Sequence, residues 1–299
     1  MNVAKRTINQ RQSLQLTATN QAPSPLTASR HVEGSSLIHQ APTLQYADTT
    51  DPLNHSPVTY HCPHYPAGHY VPSHHHDRAQ LLYALSGIMT VTTDVGRWTV
   101  PPHQAVWIPA SVSHDVHMPC AVSMRSLYIH PEIAAVLSSE CRVVEVTPLL
   151  RELIARLVAD QHKNIQQLER LIAVLVDEVD SLRSPPLHLP APQDHRLCRI
   201  TEELINNPAD ERDLATWSQT VGASTRTLAR RFKKETGLGF REWRQQLRLL
   251  KAIELLAMGQ DVTAVALTLG YQSPSAFISM FRRVLGTTPG RYVSNGSSL

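Results

Sequence analysis

The sequence lacks both a long apolar run and paired cysteines. Its longest apolar runs fall well short of the roughly 18 residues that span a bilayer, and none opens the chain as a signal peptide does. The four cysteines, Cys62, Cys120, Cys141 and Cys198, are widely spaced and form no CxxC pair. Scattered thiols of this kind are typical of proteins in a reducing compartment. We therefore expect a cytoplasmic protein with no membrane partner.

The chain also has little net charge, but this charge is unevenly distributed. The formal net charge is +3 over 299 residues. Residues 1–193 contain 13 Lys/Arg and 15 Asp/Glu, whereas residues 194–299 contain 15 and 10. Nine basic and two acidic residues fall within 226–251. A basic block of this kind indicates a polyanionic partner such as nucleic acid, although a solvated helix face is the alternative.

Residue patterns divide the chain into five segments. Residues 1–45 are rich in Gln, Ser, Thr and Asn, which predicts a disordered tail. Between 46 and 147, short alternating runs separated by Gly and Pro are typical of a β-sandwich or barrel. Two amphipathic helices are expected within 148–183, and four prolines predict a linker at 184–194. Residues 195–299 are expected to be helical.

The apolar stripes of the two helices within 148–183 have two possible partners. The stripes consist of Leu149, Leu153 and Leu157, then Leu168, Leu171, Ile172, Leu175, Val179 and Leu182. An exposed stripe of this length predicts self-association, so we expect this segment to form a homodimer. Packing of the same helices on the outside of the β-rich region is the alternative.

Two segments near the C-terminus, at about 213–234 and 261–283, repeat one pattern. Each starts with an aspartate that can cap a helix, Asp213 or Asp261, and reaches a glycine nine residues later. Each then has a serine cap and a second helix. This order predicts a helix-turn-helix unit, whose second helix lies in the major groove of DNA. Two units in tandem are expected to enter successive groove segments.

The second helix of each unit has an apolar side and a side available to DNA. Leu228 and Phe232 lie four residues apart and are expected to face inward, as is the matching pair in the second unit. Arg226 and Arg230 then face outward, where each can donate two hydrogen bonds to guanine. The candidate DNA-contacting residues are Thr225, Arg226, Ala229, Arg230, Lys234, Pro274, Ser275, Ile278, Ser279 and Arg282.

The helix between the two units carries a basic stripe. Its members are Arg241, Arg244, Arg248 and Lys251. A rigid helix at this place would fix the spacing of the two units on the duplex. The stripe adds to the expectation that this half of the chain binds DNA.

The stretch ALTLGYQSPSAFISMFRRVLGTTPGRYV, at 266–293, resembles the signature of the AraC/XylS transcription regulators. The resemblance covers about residues 195–294. It implies a seven-helix DNA-binding domain with two helix-turn-helix units, in which Arg226 and Arg230 contact bases. It also implies that Arg282 contacts phosphates and that the partner is promoter DNA.

A second resemblance covers the β-rich region. The spacing G-x5-H-x-H-x3-[E/Q]-x6-G is matched by Gly68, His74, His76, Gln80 and Gly87. The stretch IPASVSHDVH, at 108–117, supplies P-x-[G/S]-x-x-H. These motifs resemble those of the cupin barrel, with glutamine in place of the usual glutamate and Ser111 in place of glycine. Because His74 and His76 are two residues apart, both point to one side of a strand and His75 points to the other.

The resemblance implies a pocket inside the barrel. Its candidate lining residues are His74, His76, Gln80, Tyr83, Trp107 and His114, of which Tyr83 and Trp107 fit a core role equally well. Three imidazoles suit a divalent transition metal, with His74, His76, Gln80 and His114 as ligands, although an amide is a weaker ligand than a carboxylate. A pocket for a small organic ligand without a metal and a packed relic are the alternatives.

Together the two resemblances predict an α+β multidomain protein. It has an N-terminal cupin-like β-barrel, a helical dimerisation segment and a C-terminal all-α domain with two helix-turn-helix units. We expect a homodimeric, non-enzymatic transcription regulator that senses a small molecule or a metal. The alternatives are a cupin-type metal-dependent enzyme with a helical appendage, and a constitutive DNA-binding regulator with a vestigial barrel.

Overall fold

The structure, a computed structural model, describes residues 56–159 and 164–292, and the tail predicted at 1–45 lies outside them. Antiparallel strands of the N-terminal half form two sheets. The first contains, in order, β1 (Val58–His61), β9 (Val122–Ile129), β4 (Ala79–Ser86), β7 (Gln104–Ile108) and β10 (Arg142–Glu145), with β2 (His64–Tyr65) paired to β9. The second contains β11 (His188–Pro190), β6 (Gly96–Val100), β5 (Met89–Thr93), β8 (His114–Met118) and β3 (His69–His74). No helix in the two described ranges is both long and apolar enough to cross a membrane.

The prediction of a β-rich domain is confirmed, but its strands do not close into one barrel. Hydrogen bonds between the described strands form two separate cupin-like sheets. The sheets face each other across the domain, since Tyr128 of β9 contacts His76, which follows β3. The short alternating runs fold as strands because successive side chains point to opposite faces of a sheet.

Helices α1 (Pro131–Ala134), α2 (Pro148–Ala159) and α3 (Ile165–Ser181) pack on the outer face of the first sheet. Leu81 and Tyr83 of β4 point toward these helices and form one buried cluster with Leu150 of α2 and Leu175 of α3. The amphipathic pattern of α2 and α3 therefore serves to cover a sheet.

The apolar stripe expected to dimerise is already buried within the chain. Leu153 and Leu157 of α2, and Ile172 and Val179 of α3, are all buried in the cluster on the first sheet. Leu149 is an exception at 50% exposed. Because the sheet covers most of the stripe, the alternative of packing on the β-rich region was correct for these residues.

The proline-rich segment predicted as a linker is not a free linker, because it contains β11 at the edge of the second sheet. Leu187 and Leu189 are buried, and the backbone N–H of Thr99 donates to the Leu187 carbonyl at 3.0 Å. Proline has no N–H to donate, and Pro190 is accommodated because β11 pairs on one side only, with β6. Composition alone predicted a linker and did not reveal its pairing with β6.

The C-terminal half is helical, as predicted. It contains α4 (His195–Asn206), α5 (Leu214–Val221), α6 (Thr225–Thr236), α7 (Phe240–Ala257), α8 (Val262–Thr268) and α9 (Pro274–Leu285), and residues 289–292 are also helical. The predicted caps are confirmed, because Asp213, Ser224, Asp261 and Ser273 accept hydrogen bonds from the first-turn N–H groups of α5, α6, α8 and α9. Helices α5–α6 and α8–α9 form the two helix-turn-helix units.

Helix α7 joins the two units and also contacts the second sheet. Trp243 Nε1 donates to the carbonyl oxygen of Pro190 at 2.8 Å. Thr90 Oγ1 of β5 donates to the Glu254 carboxylate at 3.0 Å, and Lys251 pairs with the same carboxylate at 2.8 Å. Thr90 is only 4% exposed and Glu254 is half-buried, so this contact between the sheet and the helix is partly buried.

A glycine follows the first helix of each helix-turn-helix unit, with φ of +67° at Gly222 and +77° at Gly270. Both angles lie in the left-handed region, which disfavours residues with a Cβ. A Cβ at Gly222 would meet nothing within 4 Å, whereas a Cβ at Gly270 would lie 3.0 Å from the carbonyl oxygen of Ala209. The two turns thus differ in the space around their glycines.

Gly270→Ala should lower the free energy of unfolding more than Gly222→Ala does. At Gly222 the alanine meets only the left-handed strain of about 1–2 kcal/mol. At Gly270 the backbone of Ala209 must also move. Urea unfolding of the two variants beside the unmodified protein measures the difference, and equal destabilisation would contradict the close contact at Gly270.

Candidate functional site

Helix α6 presents a polar side to solvent. Its Ser224 cap fixes where the helix begins, and Leu228 and Phe232 are fully buried beneath it. The ring of Phe232 packs edge-on against Trp243 of α7, which anchors the helix. Arg226 and Arg230 are exposed on the opposite side, one turn apart, as predicted. Thr225 and Ala229 are also exposed.

Helix α9 is likewise divided into a buried apolar side and a side that faces solvent, but its solvent-facing side carries weaker hydrogen-bond donors than that of α6. Phe277 and Phe281 are fully buried, with ring centroids 5.7 Å apart. Ser275, Ser279 and Arg282 are exposed, while Pro274 and Ile278 are half-buried. This side offers two hydroxyl groups and one cation, in contrast to the two arginines at the centre of the α6 surface.

Four exposed cations on these helices have no acidic partner among the described residues, whereas the exposed Lys233 of α6 pairs with Glu242 at 3.7 Å. Among the described residues, Arg226, Arg230, Lys234 and Arg282 take part in no salt bridge. Arg231, on another side of α6, differs because it pairs with Asp194 at 2.9 Å and with Glu235 at 3.3 Å. Unpaired guanidinium groups at the surface can bind the phosphates and guanine edges of a polyanion. The arrangement therefore suits a nucleic-acid interface.

The basic stripe expected on α7 is mostly structural. Arg244 donates to the carbonyl oxygen of Arg212 at 3.1 Å, and Arg248 donates to that of Pro208 at 2.8 Å. Lys251 is paired with Glu254, as described above. Only Arg241 of the four is exposed. Charge and spacing do not distinguish a cation that binds a partner from one that binds carbonyl groups of its own domain.

A second candidate site lies between the two sheets. His74, His76 and His114 each have one ring nitrogen that could bind a metal, and these three nitrogens all lie within 4.8 Å of one another. His74 ends β3 and His114 begins β8, and the two residues are paired across the strands. His76 follows β3 and faces both, with ring centroids 4.8 and 5.4 Å away. His75 is exposed, as predicted from the spacing.

The histidines hold lone pairs ready for a ligand. Burial, followed by the neighbouring imidazoles, lowers the pKa of His76 to about 3. Burial lowers the pKa of His114 to about 4, against a carbonyl contact at Val112 that raises it. Because a carbonyl only accepts, His74 Nδ1 donates to Pro72 at 2.7 Å and His114 Nδ1 donates to Val112 at 2.9 Å. In the neutral form of either ring the Nε2 atom then carries the lone pair.

Gln80 of β4 contributes an amide oxygen to the same region. Its Nε2 donates to Ser126 Oγ at 2.7 Å and to Tyr128 Oη at 3.3 Å. The ring of Tyr128 packs against His76 with centroids 4.8 Å apart, so it links the glutamine to the histidines. The Nε2 atoms of His76 and His114 and the Oε1 of Gln80 are buried with no hydrogen-bond partner among the described residues. Buried polar atoms normally have partners, so these three atoms mark a candidate binding site.

Two of the predicted pocket residues lie elsewhere. Tyr83 and Trp107 are fully buried in the cluster under α2 and α3, on the face of the first sheet opposite Gln80. The reason is the alternation along β4, where odd-numbered residues face the helices. Trp107 Nε1 donates to the carbonyl oxygen of Ser138 at 2.8 Å, so its polar atom is also satisfied away from the pocket. Of the two roles that fit these residues, the core role is correct.

Ser126 and Tyr128, which hold Gln80, were not among the predicted pocket residues. Both lie on β9, and Tyr128 is directly paired with Gln80 across the strands. The alternation in VSMRSLYI indicates a strand, but it does not indicate which strand pairs with it. The register between β4 and β9 was needed to find them.

Two family models match the chain. One, described as an AraC-like ligand binding domain, matches residues 57–176. The other, described as a helix-turn-helix domain, matches residues 217–295. The first range contains the histidine group, and the second contains both outward-facing helices.

Curated relatives are bacterial regulators. The HTH-type transcriptional regulator NimR of Escherichia coli strain K12 is 40% identical over 227 residues, which is 75% of this chain and 82% of NimR. The HTH-type transcriptional regulator RipA of Corynebacterium glutamicum is 37% identical over 115 residues, or 38% of this chain and 34% of RipA. Among solved structures, ToxT from Vibrio cholerae matches 79% of this chain and 97% of its own, with 10% identity and a TM-score of 0.35.

Proposed function

This chain belongs to the AraC/XylS family of transcription regulators, and we propose that both of its helix-turn-helix units bind one promoter site under the control of an effector in the histidine pocket. The observation that carries the proposal is the pair of exposed, unpaired arginines, Arg226 and Arg230, on the recognition helix of the first unit. Each guanidinium can donate two hydrogen bonds to a guanine edge in the major groove. The pocket serves binding and not catalysis in this proposal.

The two units have different tasks on the duplex. Helix α6 supplies most of the base discrimination through Arg226 and Arg230, with Thr225 and Ala229 beside them. On α9, Ser275 and Ser279 bond bases or phosphates, while Ile278 and Pro274 supply apolar contact with a thymine methyl. Lys234 and Arg282 contact phosphates and position the protein. Helix α7 holds the two recognition helices at a fixed distance, which suits successive segments of the major groove.

The effector controls DNA binding through the contact between α7 and the second sheet. Strand β8 carries His114 and pairs with β5, whose Thr90 donates to Glu254 of α7. A ligand that changes the position of β8 therefore acts on the helix that carries both units. The ligand changes promoter affinity only if it binds one arrangement of this contact more tightly than the other. The ratio of its two affinities limits the size of the change.

The chain acts as a homodimer in this proposal, through the outward side of α3. The side of α3 that faces the sheet is buried, whereas Val174 is 45% exposed and Ile165 is 57% exposed. Exposed apolar residues on a helix of a globular domain suit a contact with a second copy.

The pocket residues fit a divalent transition metal. Three neutral imidazoles are the preferred ligands of Zn²⁺, Cu²⁺, Ni²⁺ and Fe²⁺, and an amide oxygen can complete the set. His74, His76, His114 and Gln80 would hold the ion. The carbonyl contacts at Nδ1 of His74 and His114 fix the rings in the orientation that metal-bound histidines usually have.

Arg226→Ala and Arg230→Ala should each weaken promoter binding about tenfold or more, because a bidentate arginine–guanine pair is worth about 1–3 kcal/mol. Arg226→Lys keeps the charge but loses the planar fork. It should weaken binding to the promoter while binding to unrelated DNA stays unchanged. Fluorescence anisotropy with the fragment upstream of this chain's own gene, at several salt concentrations, measures both affinities.

Arg183→Ala is the matched control, since it removes one exposed charge from the loop before β11. It should leave promoter affinity unchanged. Titration well above the dissociation constant also gives the stoichiometry, which is two chains per site for a homodimer. Failure of the folded protein to bind the fragment at low salt, or an equal loss from Arg183→Ala, would count against the proposed interface.

His76→Ala should abolish metal binding, whereas His75→Ala should leave about one ion per chain, because only His76 faces the other two imidazoles. The exposed neighbour His75 is a close control for loss of a histidine from the same tract. Elemental analysis after dialysis against Zn²⁺ measures the content. A protein that binds no ion, or one whose ion survives His76→Ala, would favour a pocket for an organic ligand without a metal.

A further inference from the structure

The proposed ligand set contains no negative charge. Among the described residues, the group of potential metal ligands around His76 consists of histidines only, with no carboxylate or thiolate within it. The fourth candidate, Gln80, is an amide and also neutral. A metal centre in this pocket would therefore have neutral donor atoms, with no protein anion among its ligands.

Gln80 is held in a defined orientation. It is 4% exposed, and its Nε2 donates to Ser126, which is fully buried, and to Tyr128. These two bonds occupy the nitrogen and leave the buried Oε1 without a partner among the described residues. Tyr128 touches both Gln80 and His76, so it links the glutamine to the histidine group. The glutamine is thus positioned as an uncharged donor.

A neutral ligand set has an electrostatic consequence. A divalent cation bound by three imidazoles and an amide keeps its full charge in a buried place, where an uncompensated charge is costly. A carboxylate at position 80 would cancel half of that charge. With Gln80 none of the four ligands supplies this compensation, and an anion from outside the protein would supply it by binding as a further ligand.

We propose that the effector of this pocket is a small anion with a coordinating atom, such as a carboxylate, that binds directly to the metal, and that Gln80 sets this preference. The inference rests on the metal site proposed above. Glutamine keeps the centre electron-poor enough to attract the anion, and the bonds to Ser126 and Tyr128 keep its oxygen available. Binding of the anion supplies the missing negative charge at the wall formed by β3 and β8, which is the wall connected to α7 through β5.

Azide titration of the full-length protein loaded with Co²⁺ tests the proposal. Co²⁺ bound to histidines has visible absorption bands that change when another ligand enters its coordination sphere. We expect a saturable spectral change with azide and with acetate, and none with methanol, a neutral ligand. Gln80→Glu should bind Co²⁺ more tightly but weaken azide binding at least tenfold, while Gln167→Glu on the exposed part of α3 should change neither.

Each outcome bears on a different part of the proposal. If Co²⁺ binds but azide and acetate leave the spectrum unchanged, the anionic effector is wrong, and this result needs no variant. If Gln80→Glu binds azide as tightly as the unmodified protein, Gln80 does not set the preference. If Co²⁺ does not bind at all, the metal site itself fails and the inference fails with it, whereas the DNA interface is tested separately by the arginine variants.

Discussion

Strand β4 is buried on both of its faces, and the rest of the β-rich domain depends on this double burial. Leu81 and Tyr83 pack under α2 and α3, while Gln80 faces the second sheet. A shift of one residue in the pairing of β4 would exchange these sets and place an amide in the helix-packed core. The register with β7 and β9 is therefore a condition for the existence of the pocket.

Burial also determines the chemical state of the pocket. The surroundings that keep His76 and His114 neutral leave their lone pairs unprotonated. The same surroundings make any uncompensated charge unfavourable, so the available lone pairs and the need for a counter-charge have one origin. His75 is adjacent in the sequence, but it is exposed and lies outside the group.

Local patterns predicted much of this structure, while partners across the fold could not be predicted. Asp213 and Ser273 were found as caps because capping is decided within four residues. The stripe on α2 and α3 showed that these helices bury one side, but not that a sheet of the same chain covers it. Arg248 looked like Arg226 in charge and periodicity, but its hydrogen bond to the carbonyl oxygen of Pro208 and its partial burial distinguish it. The register of β4 with β7 and β9 places Gln80 and Tyr83 on opposite faces of the sheet. Because this register joins residues far apart in the chain, it cannot be read from a short stretch of sequence.

Strand β11 determines where this chain can be divided. A fragment ending at residue 183 would leave β6 as a bare sheet edge and would lose Leu187 and Leu189 from the interior, which favours aggregation. A fragment ending after β11 keeps the sheet intact but removes the Pro190 carbonyl from Trp243 in the other half. The short strand belongs structurally to the first half and supports the second, so separately produced halves would each need their own copy of it.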